Sequence, residues 1–579
     1  MIKNTLQNLF YHINKSRKIQ LLILLITTFL ASVVEMLSVA SVVPFVKVAT
    51  SDSSFFEQLS IFKFITINNK EEAILITGVT FSFLILVNSL LRCALIYITA
   101  RLSNIITAEL SVKIYRASLF DSYSNHINKK TSNIISAVTQ KVYQILLTIS
   151  SLITFVSSAF ILIALISILI WINPKVMLFF TTFFSIVYFA IVLIGKKKLK
   201  NNSKIINEEQ NKIIFNLQNG LGAFRDITLD KTQEYYISIF AEANFNKARR
   251  ESVNSIIQNS PRYILEGLGI VLVVVLIIFF NYFLDNSNKI IEVFPILAAI
   301  AIGAQKILPL INNLYLNFSI FKGNVYQIHE VIDVLNKYKE KEKIKLLVKE
   351  KKINFKNLIS FNKVDFYYEN KKEYILENVN LEIKKGSKVG IIGKSGEGKS
   401  TFLDLLMGLL VPSRGTVCID GINLSAETLS SWQSKISHVP QKLFVSDSSF
   451  LENIALGQPT KDIDLKKVEL VSKKAQLHEF IKSLKGGYNE QIGERGIKLS
   501  GGQLQRVGLA RSLYKNSEII IFDEATNSLD AETESLILKE LYSLDKNLTI
   551  IIVAHRLNTV SQCDVIFEVK NKKILEFQS

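Results

Sequence analysis

Apolar residues are spread unevenly along the 579-residue chain. Six long runs carry little charge and fall at roughly 20–46, 73–100, 144–171, 174–195, 262–284 and 291–321. A bilayer core needs about 20 apolar residues of helix, so each run predicts a membrane-spanning helix. Several runs exceed that length, which predicts helices that continue into water. Beyond about residue 350 the pattern changes. Short apolar runs of strand length alternate with helical stretches, as in an α/β domain. The expected division is a cytosolic N-terminus at 1–19, a transmembrane domain with cytosolic extensions at 20–330, a linker at 331–351 and a soluble domain at 352–579. The linker reading rests on the charged run Lys337-Tyr338-Lys339-Glu340-Lys341-Glu342-Lys343, which has little periodicity.

Charge orients the helices. Lys3, Lys15, Arg17 and Lys18 precede the first run, and Arg101, Lys113, Arg116, Lys129 and Lys130 follow the second. Lys196, Lys197, Lys198 and Lys200 follow the fourth, whereas the connections at 172–173 and 285–290 are short and nearly neutral. Basic loops stay in the cytosol, so both termini and the two long connections are expected there. Phe120–His126 and Leu221–Thr228 fall at the turning points of those connections. They are either contact points for a motor domain or plain interhelical turns. The aromatic stretch Phe55–Ile65 is too short to span and reads as an amphipathic helix on the outer membrane surface or an ordinary loop helix.

The net charge of +18 would suit nucleic acid. Much of the excess flanks apolar spans, however, so the lipid bilayer and not nucleic acid is the expected partner. Cys93, Cys418 and Cys563 lie far apart, which excludes a disulfide framework and a zinc motif. The first apolar run is too long for a signal peptide and lacks a small-residue cleavage site.

The chemistry lies in the second half. Lys388–Ile392 reads as a buried strand feeding Gly393-Lys394-Ser395-Gly396-Glu397-Gly398-Lys399-Ser400-Thr401 and then an apolar helix. This is G-x-x-x-x-G-K-[ST] in its strand–loop–helix setting. Glycines let backbone N–H groups approach phosphates, and the helix N-terminus favours anions. Lys399 is expected on the β and γ phosphates of ATP and Ser400 on Mg²⁺. Ile519–Phe522 is a second buried strand, ending in Asp523 and Glu524. Asp523 is a candidate for holding the metal, directly or through water, and Glu524 is a candidate general base.

Leu499-Ser500-Gly501-Gly502-Gln503, followed by Gln505-Arg506, resembles the signature of the ATP-binding-cassette family. The resemblance covers about 352–579 and implies an α-helical six-span transmembrane domain fused to an α/β P-loop ATP-binding-cassette domain. It further implies that Tyr368 stacks on adenine, Gln441 senses Mg²⁺ and the attacking water, Asp530 acts across a dimer, and His555 meets the γ-phosphate. Gly493-Glu494-Arg495-Gly496 resembles a loop of the family's exporters. In the family the signature faces the nucleotide held by the other cassette. One chain has one phosphate loop and one signature, so two complete ATP sites need two chains, most simply a C₂ homodimer. Glu397 departs from the family, which usually has a small residue there; its side chain is expected to point out to water.

Six spans before one cassette look like the exporter type, an integral protein of the bacterial inner membrane with its cassette in the cytosol. Because only about 20 residues precede the first span, the leader-peptidase domain of some peptide exporters is not expected. The membrane half resembles bacterial lipid-linked oligosaccharide flippases at Pro261-Arg262-Tyr263, Glu266 and Lys306-Ile307-Leu308-Pro309. That resemblance implies an amphipathic or lipid-linked cargo with a pyrophosphate head group. Charges within spans usually face a cavity or a partner, which makes Arg92, Arg262 and Lys306 cavity candidates. The structural alternatives are that Arg262 pairs with Glu266 and Arg92 snorkels. Lipid A, other lipids, drugs and hydrophobic peptides stay open as cargo, and an ATP-gated channel or sensor is the rival of another class.

Overall fold

The computed structural model describes residues 2–42, 44–45, 48, 70–172, 174–283, 288–347, 350–368, 373–524, 531–543, 545 and 547–577. The stretch Phe55–Ile65 and Asp530 lie outside the described residues, as does the side chain of Lys306. The chain divides into two units. One comprises Met1–Asp121 and Ile127–Glu340, the other Ser122–His126 and Lys341–Ser579.

The first unit is helical: α1 (Ile2–His12), α2 (Lys15–Ala40), α3 (Lys70–Leu119), α5 (Thr131–Ser136), α6 (Val142–Ile172), α7 (Pro174–Gly222), α8 (Phe224–Leu229), α9 (Gln233–Phe283) and α10 (Asn288–Leu347). The short helix α4 (Tyr123–Ile127) straddles the boundary between the two units. Each expected span falls on one of the six long helices. Among the described residues, stretches Lys15–Ala40, Glu71–Leu119 and Thr131–Ile168 are long and apolar enough to cross a membrane. At 1.5 Å per residue, the 50 residues of α3 reach about 75 Å, far more than the ~30 Å of a bilayer core. Large apolar side chains on its first half, including Phe83, Leu86, Leu90 and Ile96, are exposed. Such a surface is stable only against lipid or protein.

The second half of α3 reverses this. Leu102, Ile106, Leu110 and Ile114, spaced one turn apart, are buried with Ile145, Ile149, Ile328, Val331 and Leu335. This stripe joins the helix extensions into a bundle. Ion pairs Arg17–Glu109 (2.8 Å) and Lys141–Glu330 tie it further. The charged run at 337–347 is helical, because α10 continues through it to Leu347. Lys and Glu are good helix formers, so charge alone does not end a helix.

The second unit holds two sheets. The antiparallel one has the order β2-β1-β4-β5, from β1 (Leu358–Phe366), β2 (Leu376–Lys384), β4 (Arg414–Ile419) and β5 (Ile422–Asn423). The other has the order β10-β9-β3-β8-β7-β6, from β3 (Lys388–Gly393), β6 (Ile436–Val439), β7 (Ile519–Asp523), β8 (Thr549–Val553), β9 (Val565–Lys570) and β10 (Lys573–Glu576). It is parallel except for β10. Every residue of β8 is buried, which explains the uninterrupted apolar run: strands covered on both faces do not alternate. Between the sheets Trp432 is fully buried and donates its indole N–H to the Leu406 carbonyl at 2.7 Å.

His438 on β6 is half-buried with its Nε2 enclosed and without a hydrogen-bond partner, and this burial pushes its pKa down to about 4. The unfolded imidazole takes its proton near 6.5. Stability from keeping it neutral is thus present above 6.5 and is lost as pH falls toward 4. Melting curves of the purified chain should show a fall between pH 6.5 and 4.5 that is several degrees smaller in His438→Leu than in the unaltered chain.

Candidate functional site

The site gathers at the C-terminal ends of three adjacent parallel strands. β3 pairs with β8, and β8 with β7, so that Ile391, Val553 and Asp523 lie side by side, two residues before the phosphate loop. Crevices at such strand ends are where open α/β sheets bind ligands.

The phosphate loop leaves β3 and enters α11 (Lys399–Leu406). Gly396 and Gly398 have φ of 87° and 108°, values open to glycine but strained for other residues. A Cβ on Gly398 would also approach Ile375 to 3.2 Å. The first-turn N–H groups of α11 have no partner within their own helix, so the loop forms an anion cradle. Ser400 and Thr401 lie in that turn. Thr401 Oγ1 is 3.2 Å from the Tyr368 hydroxyl, which places Tyr368 at the edge of the loop.

Lys399 is 5 % exposed, and its ammonium donates to the carbonyls of Gly393 (2.7 Å) and Lys394 (3.1 Å). It lies 3.9 Å from Glu524 Oε1. Glu524 collects two further groups: Gln441 Nε2 donates to it at 2.6 Å, and His555 Nε2 stands 2.7 Å away. Its backbone is left-handed, with φ 52°, and its N–H donates to the Val553 carbonyl at 3.1 Å. A non-glycine residue there costs about 1–2 kcal/mol. Such strain clusters at functional sites and aims the carboxylate off the end of the strand.

Lys399, Gln441, Asp523, Glu524 and His555 are therefore brought together as the motifs predict. Ser500, Gly501, Gly502 and Gln503 open a different feature, α12 (Gly501–Tyr514). Ser500 caps it: its hydroxyl accepts from the Gln503 N–H at 3.2 Å, while the Gln503 side chain accepts from the Ser500 N–H at 2.8 Å. The hydrogen bonds of this turn run within it, between Ser500 and Gln503. It is an exposed helix N-terminus offering donors outward.

The structure bears on three expectations. Glu397 is half-exposed and not fully turned to water. It curls back, and its Oε2 accepts from the Lys394 N–H at 3.2 Å. Arg262 is bound to Glu266 at 2.8 Å, one turn along α9. Arg92 is bound to Glu35, which is 2 % exposed, at 3.0 Å. An isolated carboxylate buried on α2 would be costly, so Arg92 compensates it.

Asp404 was not singled out from sequence, although a lone acid within Phe402-Leu403-Asp404-Leu405-Leu406 is a visible signal. Burial, and then the Asp523 carboxylate, raise its pKa to about 6. Asp523 is likewise raised, by burial and then by Glu524, against the opposing pull of Lys399. Tyr123, in the segment grouped with the second unit, has its hydroxyl pushed up by burial and then by Asp404 and Tyr368.

Among the described residues no group of three or more His, Cys, Asp or Glu is placed to hold a metal. Mg²⁺ needs no such cage, since it takes one or two carboxylates with phosphate and water oxygens. Asp523, Ser400 and Gln441 supply oxygens of that kind, and the glycine cradle fits a polyphosphate.

Residues 376–527 match the family described as ABC transporter, and residues 19–304 match the ABC transporter transmembrane region. The chain is 40 % identical over 244 residues to the alpha-hemolysin translocation ATP-binding protein HlyB of Escherichia coli O6:H1. It is 41 % identical over 244 residues to the leukotoxin translocation ATP-binding protein LktB of Mannheimia glucosida. Each match covers 42 % of this chain and only 34 % of the relative. A bacterial Atm1-family ABC exporter solved with ATP bound shares the fold, with a TM-score of 0.78 and 21 % identity over 97 % of this chain and 94 % of that one.

Asp404 supplies a test of the site's electrostatics. Its folded pKa of about 6 exceeds the unfolded 3.8, so its contribution to stability is full below 3.8 and is lost as pH rises through 6. Asp404→Asn should raise the melting temperature by several degrees at pH 7.5 and leave it unchanged near pH 4, as read from melting curves at the two pH values.

Proposed function

Since the chain belongs to the ABC transporters, carrying both their transmembrane region and their ATP-binding part, we propose that it is an exporter subunit that hydrolyses ATP, with Mg²⁺, to move an amphipathic cargo across a bacterial inner membrane. The observation that carries this reading is the convergence of Lys399, Gln441 and His555 on Glu524 behind a phosphate loop, in a chain that also has six long helices.

The geometry and the family resemblance support the following roles. Loop N–H groups and Lys399 would bind the phosphates, and Ser400, Gln441 and Asp523 would hold Mg²⁺. Bound Mg²⁺ neutralises charge that develops on the phosphoryl group. Tyr368 offers its ring to adenine. Glu524 takes the proton of the attacking water, Gln441 orients that water, and His555 holds Glu524 and reaches the terminal phosphate. The signature turn at Ser500–Gln503 and Asp530 serve the nucleotide of a second copy. A homodimer would thus complete two sites, and closing them on ATP would shift the membrane helices between two states. The cassette would lie in the cytosol.

The cargo is the open part of the proposal. The lipid-linked oligosaccharide reading rests on Arg92, Arg262 and Lys306 as a cationic cavity. With Glu35 and Glu266 on the first two, the local charge is largely balanced, and an anionic head group gains less from it. A polypeptide cargo is the second reading, favoured by two relatives whose names specify toxin translocation. An ATP-gated channel on the same scaffold would leak ions without stoichiometric transport.

Glu524→Gln should lower ATP turnover of the purified chain at least about 100-fold while nucleotide binding persists. Near-normal turnover would remove Glu524 as the base. For the cargo, ATPase activity in nanodiscs should rise with the true class when purified lipid-linked oligosaccharide, lipid A and hydrophobic peptides are compared. A flat response to the first rejects the oligosaccharide reading.

A further inference from the structure

We propose that Glu397 is a resident competitor for the phosphate loop, a carboxylate that occupies a donor meant for phosphate and thereby weakens nucleotide binding and hastens release of ADP. The inference rests on the ATP reading of the site and concerns a residue where the loop departs from the family pattern.

The loop satisfies itself. Glu397 sits between two left-handed glycines, Gly396 and Gly398, and the double turn brings its side chain back over the start of the loop. Oε2 accepts from the Lys394 N–H at 3.2 Å and would lie 3.3 Å from a Cβ placed on Gly393. Lys399 meanwhile donates to the Gly393 and Lys394 carbonyls at 2.7 and 3.1 Å. Both backbone groups of Lys394 are thus engaged by charged side chains of its own loop, one of each sign.

A carboxylate on that N–H has the chemistry of a phosphate oxygen: a charged acceptor, anionic, in the same cradle. It cannot keep this place when a polyphosphate enters. The phosphates bring several negative charges into a partly dehydrated loop, where repulsion is stronger than in water. Glu397 must therefore give up its hydrogen bond and swing outward, a move its half-exposed position permits. Binding then costs the lost bond and the residual repulsion. Release of ADP regains both, because the carboxylate returns to the N–H. A serine, alanine or other small residue at 397 imposes neither cost.

The competition is confined to the phosphate chain. Tyr368 and the Ser400–Thr401 turn lie at the other end of the loop, so a nucleotide with a single phosphate should not sense Glu397. This separates competition from a general change in loop structure.

The test uses the full-length chain in nanodiscs with Mg²⁺ and reads affinity by calorimetry for ATP, ADP and AMP. Glu397→Ser should bind ATP and ADP about five- to ten-fold more tightly, with AMP unchanged. Glu397→Gln keeps the shape without the charge, guards against a folding defect, and should gain a smaller factor. Stopped-flow displacement should show slower ADP release in Glu397→Ser. Unchanged or weaker ATP and ADP binding in both variants, at unaltered melting temperature, overturns the proposal. An equal gain for AMP overturns it as well, because the effect would then not act through the outer phosphates. If the unaltered chain and both variants bind none of the three nucleotides, the ATP reading itself fails; equal binding by all three proteins removes only Glu397.

Discussion

The register of three parallel strands is the constraint on which the rest depends. β3, β8 and β7 lie side by side, with Asp523 opposite Val553 and Val553 opposite Ile391, two residues before the loop begins. This register sets the phosphate loop, the acidic pair Asp523–Glu524 and the His555 turn at one edge. A slip by one residue would invert every side chain of a strand. The cost of such a slip is high because β8 is buried throughout, and because the Glu524 N–H closes on the Val553 carbonyl just past the last paired residues. The apolar strands thus do more than fill the core. They index the chemistry, and the left-handed turn at Glu524 converts that index into a direction for one carboxylate.

What could be read from the sequence divides along the same line. The phosphate loop, the strand ending in Asp523 and Glu524, and the signature turn each need fixed residue types at fixed spacing. Their local pattern therefore carries the information. The long helices were legible for a simpler reason: a bilayer demands a length of apolar residues that few soluble elements reach. Three features were not legible, and each depends on side-chain partners distant in sequence or on rotamers. Arg92 finds Glu35, 57 residues away. Asp404 is perturbed by Asp523 across the sheet edge. Glu397 curls back because the φ angles of its neighbours turn it, and charge alone suggested the opposite. The helix that runs through 337–347 was hidden for the converse reason, since a charged helix without an apolar stripe has no periodic signal to read.

The membrane unit shows how charge is tolerated where water is scarce. Arg92–Glu35 and Arg262–Glu266 each bring a cation and an acid into contact. Breaking either pair by one substitution leaves an uncompensated charge, whereas the intact pair adds little net stability. Such pairs are poor anion traps, because the guanidinium already has its carboxylate. They are better suited to fixing helix register or rotation. A cavity that depended on strong cations for its cargo would need them unpaired, and this weighs against reading every arginine in a span as a ligand.

The nucleotide site faces the opposite problem, since it must bind a polyanion while holding acids of its own. Asp404, Asp523, Glu524 and Glu397 all lie near the loop or the strand ends, and Lys399 is the buried cation among them. Burial raises both Asp404 and Asp523, with a further push from Asp523 on the first and from Glu524 on the second. Glu524 is held by Gln441 and His555, with the Lys399 ammonium 3.9 Å away as a neighbouring cation. Adding phosphates to this cluster without further positive charge would be strongly unfavourable. Under the ATP reading, a cation accompanying the phosphates would offset this crowding, and Asp523 and Lys399 are the residues here that would meet the metal and the phosphates. The site is consequently poised between two sets of partners for the same groups. In one, loop carbonyls and carboxylates satisfy Lys399 and the Lys394 N–H; in the other, phosphates do. The free-energy gap between these sets, more than the strength of any single contact, sets how readily nucleotide enters and leaves.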